Sequence, residues 1–257
     1  MHLGVFFCLY FTDKISFSET PLSHTLKLTK NLKGDLYMLV CIYAAASDNI
    51  DSKYIKDVEY LGKELAKDGN TLIYGAGSTG LMGAAARGFR AEDGIVIGVT
   101  PKFMKDIEPI FEDCTLIYTD TMAERKKIME TETDAFLIAP GGVGTMDEFF
   151  QCVTLKDLGQ LNKPIIIYNP DNYYTKMIEF LDDCIEKGFI KERVRDFCDV
   201  VATPEEAVKV VNKYNELMKD NKTLIGDELY NNLSENKSPI PTKTTPKMNE
   251  SNELFEL

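Results

Sequence analysis

From position 36 onward the chain alternates between two hydrophobic rhythms. Short, nearly continuous apolar runs at 36–43 (LYMLVCIY), 71–74, 95–99, 115–118, 135–139, 164–168 and 198–201 are rich in β-branched and aromatic residues. A run with no polar side is what a strand shows when both faces of its sheet are covered. Between these runs lie segments whose apolar residues recur at helical intervals. The clearest is Tyr54, Ile55, Val58, Leu61 and Leu65, with Gly69 placed to close the helix. Further helices are predicted at 80–92, 121–131, 145–158, 174–187 and 204–218. Strand and helix in regular alternation predict an α/β fold, a doubly wound, mostly parallel, Rossmann-like sheet forming a single domain over 37–218.

Outside that span the rhythm is lost. Residues 1–36 carry no sustained period and read as a leader, with Met38 as a second candidate start. Residues 219–257 are rich in Asn, Ser, Thr, Pro and Glu and read as a disordered polar tail.

Composition narrows the chemistry. With 257 residues, 44% of them hydrophobic, the chain can bury a substantial core. A formal charge of -12 repels phosphate polymers, so neither nucleic acid nor an anionic membrane is expected as a partner. A small phosphorylated ligand stays open, because backbone N–H groups and one or two local cations hold it against an unfavourable field. Six cysteines at 8, 41, 114, 152, 184 and 198 form no C-x-x-C pair and read as buried thiols of a cytoplasmic protein. The only histidines, His2 and His24, precede the first structural element. Triads built on imidazole and histidine-ligated zinc are thereby set aside, and no metal is expected. Chemistry must come from carboxylates, Arg, Lys, Tyr or backbone dipoles.

Two glycine loops stand at predicted strand ends. Gly75-Ala76-Gly77-Ser78-Thr79-Gly80 follows one strand and opens a helix, the context in which G-x-G-x-x-G acquires meaning. A dinucleotide site also wants an acid at the end of the next strand, where this chain has Thr100-Pro101-Lys102, so NAD is disfavoured. Close strand–helix packing explains Gly75 and Gly80 as well as ligand contact does. The second loop, Pro140-Gly141-Gly142-Val143-Gly144-Thr145-Met146-Asp147-Glu148, offers successive N–H groups, a hydroxyl and a helix N-terminus to a phosphate dianion. Glu148 has two readings here, a functional carboxylate or the return arm of a capping box beginning at Thr145. Arg125, in MAERKKIME, likewise reads as functional or as part of a charged helix where Lys126 pairs with Glu130.

Taken together, GAGSTGLMG at 75–83, MAERKKIM at 122–129 and PGGVGTMDE at 140–148 resemble the Lonely Guy (LOG) family of cytokinin riboside 5′-monophosphate phosphoribohydrolases. The similarity runs from about position 39 to 211. It implies a catalytic pair, Arg125 and Glu148, with Lys126 beside the nucleotide and Gly141, Gly142, Gly144 and Thr145 around its 5′-phosphate. It also implies substrate contacts from Gly77, Ser78, Thr154 and, across a one-residue slip, Glu108. No cofactor is implied, and a homodimer is, with Phe149, Phe150 and Val153 as shared surface or ordinary core. Two departures bear on substrate preference. The family's run of three glycines is Gly75-Ala76-Gly77 here, and its cysteine-glycine-serine-serine end of strand one is Tyr43-Ala44-Ala45-Ala46-Ser47.

The expected reaction is cleavage of the base–ribose bond of a purine 5′-monophosphate. Glu148, kept ionised by the helix N-terminus, would face the developing oxocarbenium charge while Arg125 clamps phosphate or ribose oxygens. Competing readings are a non-catalytic nucleotide-binding protein and an NAD(P)-linked oxidoreductase. Proteins with these motifs have also been labelled lysine decarboxylases, a chemistry needing a pyridoxal-lysine site for which the chain offers no candidate.

Overall fold

The computed structural model describes residues 38–234, with side chains as far as 220. Within them seven strands form one all-parallel sheet: β1 (Leu39–Tyr43), β2 (Thr71–Tyr74), β3 (Val96–Pro101), β4 (Thr115–Thr119), β5 (Ala135–Ile138), β6 (Ile165–Tyr168) and β7 (Cys198–Val201). Their spatial order is β4-β3-β2-β1-β5-β6-β7, so the chain reverses direction of travel between β1 and β5. In open α/β sheets such a switch point leaves a crevice at the carboxyl ends of the strands, which is where ligands bind.

Among the described residues six α-helices are interspersed with the strands: α1 (Ser52–Lys67), α2 (Gly80–Ala91), α3 (Met122–Glu132), α4 (Val143–Asp157), α5 (Thr175–Glu186) and α6 (Pro204–Ser234). The unbroken apolar runs have the cause inferred from sequence. Along β1, Val40, Ile42 and Ala44 enter one core with Leu61, Leu65 and Phe89, while Leu39, Cys41 and Tyr43 enter a second with Met129, Phe149 and Cys152. Successive side chains point to opposite faces, and both faces are buried. The five cysteines among the described residues are all free thiols.

Several element ends shift by one or more residues, and three of the shifts are the largest or bear on the site. β3 runs on to Pro101, where it pairs with Thr119 at the close of β4. Helix α6 continues from Met218 to Ser234, a stretch that no proline interrupts before Pro239. Helix α4 begins at Val143 rather than Thr145, with Gly142 as its N-cap, and this shift alters the reading of Glu148. The chain divides into a body ending at Lys219 and a second unit, Asp220–Leu257. The predicted leader, the candidate start region before Met38 and the tail beyond Ser234 lie outside the described residues.

Candidate functional site

The site is assembled from the carboxyl ends of β1, β2, β3 and β5. Helix α3 starts at a variant of the capping box: the Thr121 hydroxyl accepts from the Glu124 N–H at 3.1 Å, and the Glu124 carboxylate reaches one residue past the cap to accept from the Asp120 N–H at 2.8 Å. That start sets Arg125 in the first turns of the helix, facing the sheet. Its Nε donates to the Val99 carbonyl within β3 (3.1 Å), and its Nη2 lies 3.1 Å from Glu148 Oε1 on α4. Both side chains are nearly buried, at 11% and 9% exposure. Gly75, one residue past β2, makes this reach possible, since a β-carbon there would collide with the Arg125 guanidinium. The close-packing explanation of Gly75 is therefore correct, and what packs against it is the arginine of the site.

Two local readings of the sequence are overturned. Glu148 does not return to the N-cap of its own helix, because with Gly142 as cap it stands beyond the first turn and points to Arg125. Lys126 does not pair with Glu130. It bonds Asp147 on α4 at 2.9 Å, while Glu130 accepts from Gln151. Both helices thus spend their charges on each other across the cleft rather than along their own surfaces.

The protonation of Glu148 also departs from expectation. Burial pushes its pKa up to about 7, opposed by Arg125 and Lys126 and reinforced by the nearby charges of Asp147 and Glu108. The helix dipole acts mainly over the first turn, which Glu148 has left. Its one guanidinium contact is shared with the Val99 carbonyl, so desolvation prevails over pairing. Glu108 comes from the segment after β3. Its Oε1 lies 3.6 Å from where a Gly77 β-carbon would sit, and its own pKa is raised by burial against the pull of Arg125. Glu108 is thus near enough to Arg125 for their charges to interact.

The two glycine loops differ in what their amides meet. At α2 the Gly80 N–H donates to Asp48 Oδ1 (2.7 Å), and those of Leu81 and Met82 donate to the Ala45 carbonyl at 2.9 and 3.1 Å. Gly80 has φ +58°, and a β-carbon on it would sit 2.6 Å from the Ala45 oxygen, so glycine is required there for backbone reasons. The Ser78 N–H and hydroxyl both donate to the Pro109 carbonyl, at 2.9 and 3.2 Å. The amides of Ser78, Gly80, Leu81 and Met82 are thus already taken up by protein.

At α4 there is no side-chain cap and no acid in the first turn. A β-carbon at Gly142 or Gly144 would meet nothing within 4 Å, whereas Gly141 packs on the buried Thr145. Uncapped N–H groups and a helix end with no acid in its first turn are features that suit a bound anion. Thr154 stands apart from the cluster, exposed on α4 with its hydroxyl bonded to the Phe150 carbonyl at 2.7 Å. Of the three α4 residues weighed as shared surface, Phe149 and Val153 are core and Phe150 is exposed. Sequence reasoning missed Tyr173 and Tyr174, whose hydroxyls donate to the Gly141 and Ala139 carbonyls, each at 2.8 Å. The only signal was two aromatics following an Asp-Asn turn at the end of β6.

Comparison with known proteins places this geometry in context. The family described as "Possible lysine decarboxylase" matches residues 82–211. Cytokinin riboside 5′-monophosphate phosphoribohydrolase LOG3 of Arabidopsis thaliana is 31% identical over 186 residues, covering 72% of this chain and 86% of its own. The phosphoribohydrolase of that name from Mycobacterium tuberculosis is 36% identical over 171 residues, covering 66% of this chain and 91% of its own. Among solved structures, the molybdenum cofactor binding protein of Rippkaea orientalis has the same fold, with a TM-score of 0.54 and 18% identity over 68% of this chain and 96% of that one. No described helix is long and apolar enough to cross a membrane. Matched by the family over half its length and by curated relatives over most of theirs, the chain belongs to the Lonely Guy (LOG) family.

Proposed function

We propose that the chain hydrolyses the N-glycosidic bond of a purine nucleoside 5′-monophosphate, AMP or an N6-modified adenosine monophosphate, to free base and ribose 5-phosphate. The observation that carries this reading is a nearly buried Arg125–Glu148 pair beside a helix N-terminus whose amides have no protein cap. The relatives' printed activity supports it.

In this reading the 5′-phosphate lies on the amides of residues 142–145 with the Thr145 hydroxyl. Breaking the C1′–N bond builds positive charge on the ribose ring, and ionised Glu148 stabilises that charge more than it does the neutral substrate. The same carboxylate accepts the proton of the attacking water. Arg125 clamps the phosphate or ribose oxygens, a task suited to a rigid, always-charged fork. Lys126, tied to Asp147, adds local positive potential, and Gly77 and Glu108 line the opposite wall. Ser78 shapes that wall through its bonds to Pro109.

The protein works in the cytoplasm as a homodimer without a nucleic-acid partner. Its contact surface is the exposed α4 stripe of Val143, Phe150, Thr154 and Leu158, which recur at helical spacing. Sedimentation at micromolar concentration tests the dimer. The activity is tested by incubating the purified chain with AMP, N6-isopentenyl-AMP, GMP and CMP and assaying free base and ribose 5-phosphate. Binding of AMP with no base released by any of the four would replace this reading with a non-catalytic nucleotide-binding role.

A further inference from the structure

We infer that Tyr173 is a positioning residue for the anion site, acting through the Gly141–Gly142 peptide rather than on the ligand. The inference rests on the proposed phosphate position at the α4 N-terminus. In a trans peptide the carbonyl of one residue and the N–H of the next point in opposite directions. Whatever holds the carbonyl therefore aims the N–H. Here two consecutive carbonyls are held: Pro140 accepts from the Ala45 N–H at 3.0 Å, and Gly141 accepts from the Tyr173 hydroxyl at 2.8 Å. The N–H groups of Gly141 and Gly142 are thereby turned to the other side, where that of Gly141 faces the Tyr174 hydroxyl oxygen and that of Gly142 meets no backbone acceptor among the described residues. Glycine peptides rotate easily, so without such anchors this stretch would sample orientations that present carbonyl oxygen to an anion.

Tyr173 is itself held by more than its neighbours in sequence. It follows Asp171 and Asn172, both left-handed at φ 51° and 60°. Asp171 is fixed by the Lys53 ammonium at 2.7 Å to each carboxylate oxygen. The Tyr173 ring stands edge-on to Tyr54 and Tyr174 at 6.2 and 4.8 Å, and the Tyr174 hydroxyl anchors Ala139 one step earlier in the same loop. A phenol has a single proton to donate. Donated to the Gly141 carbonyl, it is not available to a phosphate dianion, so the effect on the ligand passes through the amide.

The Tyr173→Phe variant removes the hydroxyl and keeps both ring contacts. With the full-length protein, titration of inorganic phosphate followed by calorimetry or 31P NMR should give a Kd raised about five- to tenfold, the worth of one hydrogen bond. KM for AMP should rise by the same factor, while kcat changes less than twofold and the melting temperature stays within a few degrees. Unchanged phosphate affinity and KM would overturn the inference, as would a fall in kcat at constant KM. So would a crystal soaked with phosphate in which the Tyr173 hydroxyl bonds the anion directly. If the unaltered protein binds phosphate and cleaves AMP while the variant behaves identically, only this inference fails. If the unaltered protein does neither, the site assignment fails with it.

Discussion

Two helices start from glycine loops at the ends of β2 and β5, the strands on either side of β1, and they have opposite fates. The N-terminus of α2 is filled from within, by the Asp48 carboxylate and the Ala45 carbonyl. That of α4 is bare, with glycines whose missing side chains face open space. The loop with the better-known sequence signature thus has its helix-start amides taken up by protein, and the plainer one is the loop proposed to hold the anion. A glycine pattern announces that backbone must come close to something, and only the surrounding carbonyls decide whether that something is ligand or protein.

The sharpest break of this comparison concerns the charges between the loops. Glu148→Gln and Arg125→Ala should each fold and lose ten- to a hundredfold or more in turnover, read as base release under saturating nucleotide. Near-normal turnover in either variant would move the chemistry elsewhere.

Next in size is the pH response. Because the folded-state pKa of Glu148 lies near 7 rather than at the usual 4.5, the folded protein holds more protons than the unfolded chain between those values. Its contribution is therefore most favourable at acidic pH and declines by roughly 3 kcal/mol as pH rises from about 4.5 to 7. Activity runs the opposite way, since the ionised form stabilises the ribosyl cation, so kcat/KM should fall as pH drops below about 7. Glu148→Gln should flatten the melting-temperature profile across this window. An unchanged slope would place the shifted group elsewhere.

The glycines themselves give a paired test. Gly80→Ala meets backbone on three residues at a left-handed φ and should cost about 3 kcal/mol by chemical denaturation, with little change in KM of the folded fraction. Gly144→Ala meets no protein atom, so stability should hold or rise slightly, while KM for AMP increases about tenfold as the methyl enters the anion's space. Interchanged outcomes would reverse the roles of the two loops. The smallest effect is expected at Ala76, held left-handed at φ 68° where the family carries glycine. Ala76→Gly should add up to about 1 kcal/mol of stability.

The sheet was readable because its strands are covered on both sides, which leaves runs such as AFLI and IIIY with no polar phase to confuse them. Arg125 and Glu148 were readable as a spaced pair only through family likeness, because taken locally each had a sufficient explanation in its own helix. Those explanations failed for one physical reason. A charge on a helix next to a cleft has partners on the opposite wall, at separations in sequence such as that between Lys126 and Asp147, which no helical period reveals. The ionisation of Glu148 was misjudged for a related reason, since burial depends on what folds over a residue rather than on its position from the cap. Asp48 and Tyr173 gave almost no signal, being ordinary turn-flanking residues until the switch point brings their loops beside the glycines.

Ala45 faces both loops at once, giving its N–H to Pro140 and its carbonyl to Leu81 and Met82. A single residue, through the two peptide units it joins, is thus the rivet between the two halves of the crevice, and its side chain takes no part in any of these bonds. Natural variation at position 45 is free to alter the methyl group, but an insertion or deletion between residues 44 and 48 would shear both loops together. Lineages remodelling this protein for other nucleotides should therefore change side chains along this stretch and leave its length untouched.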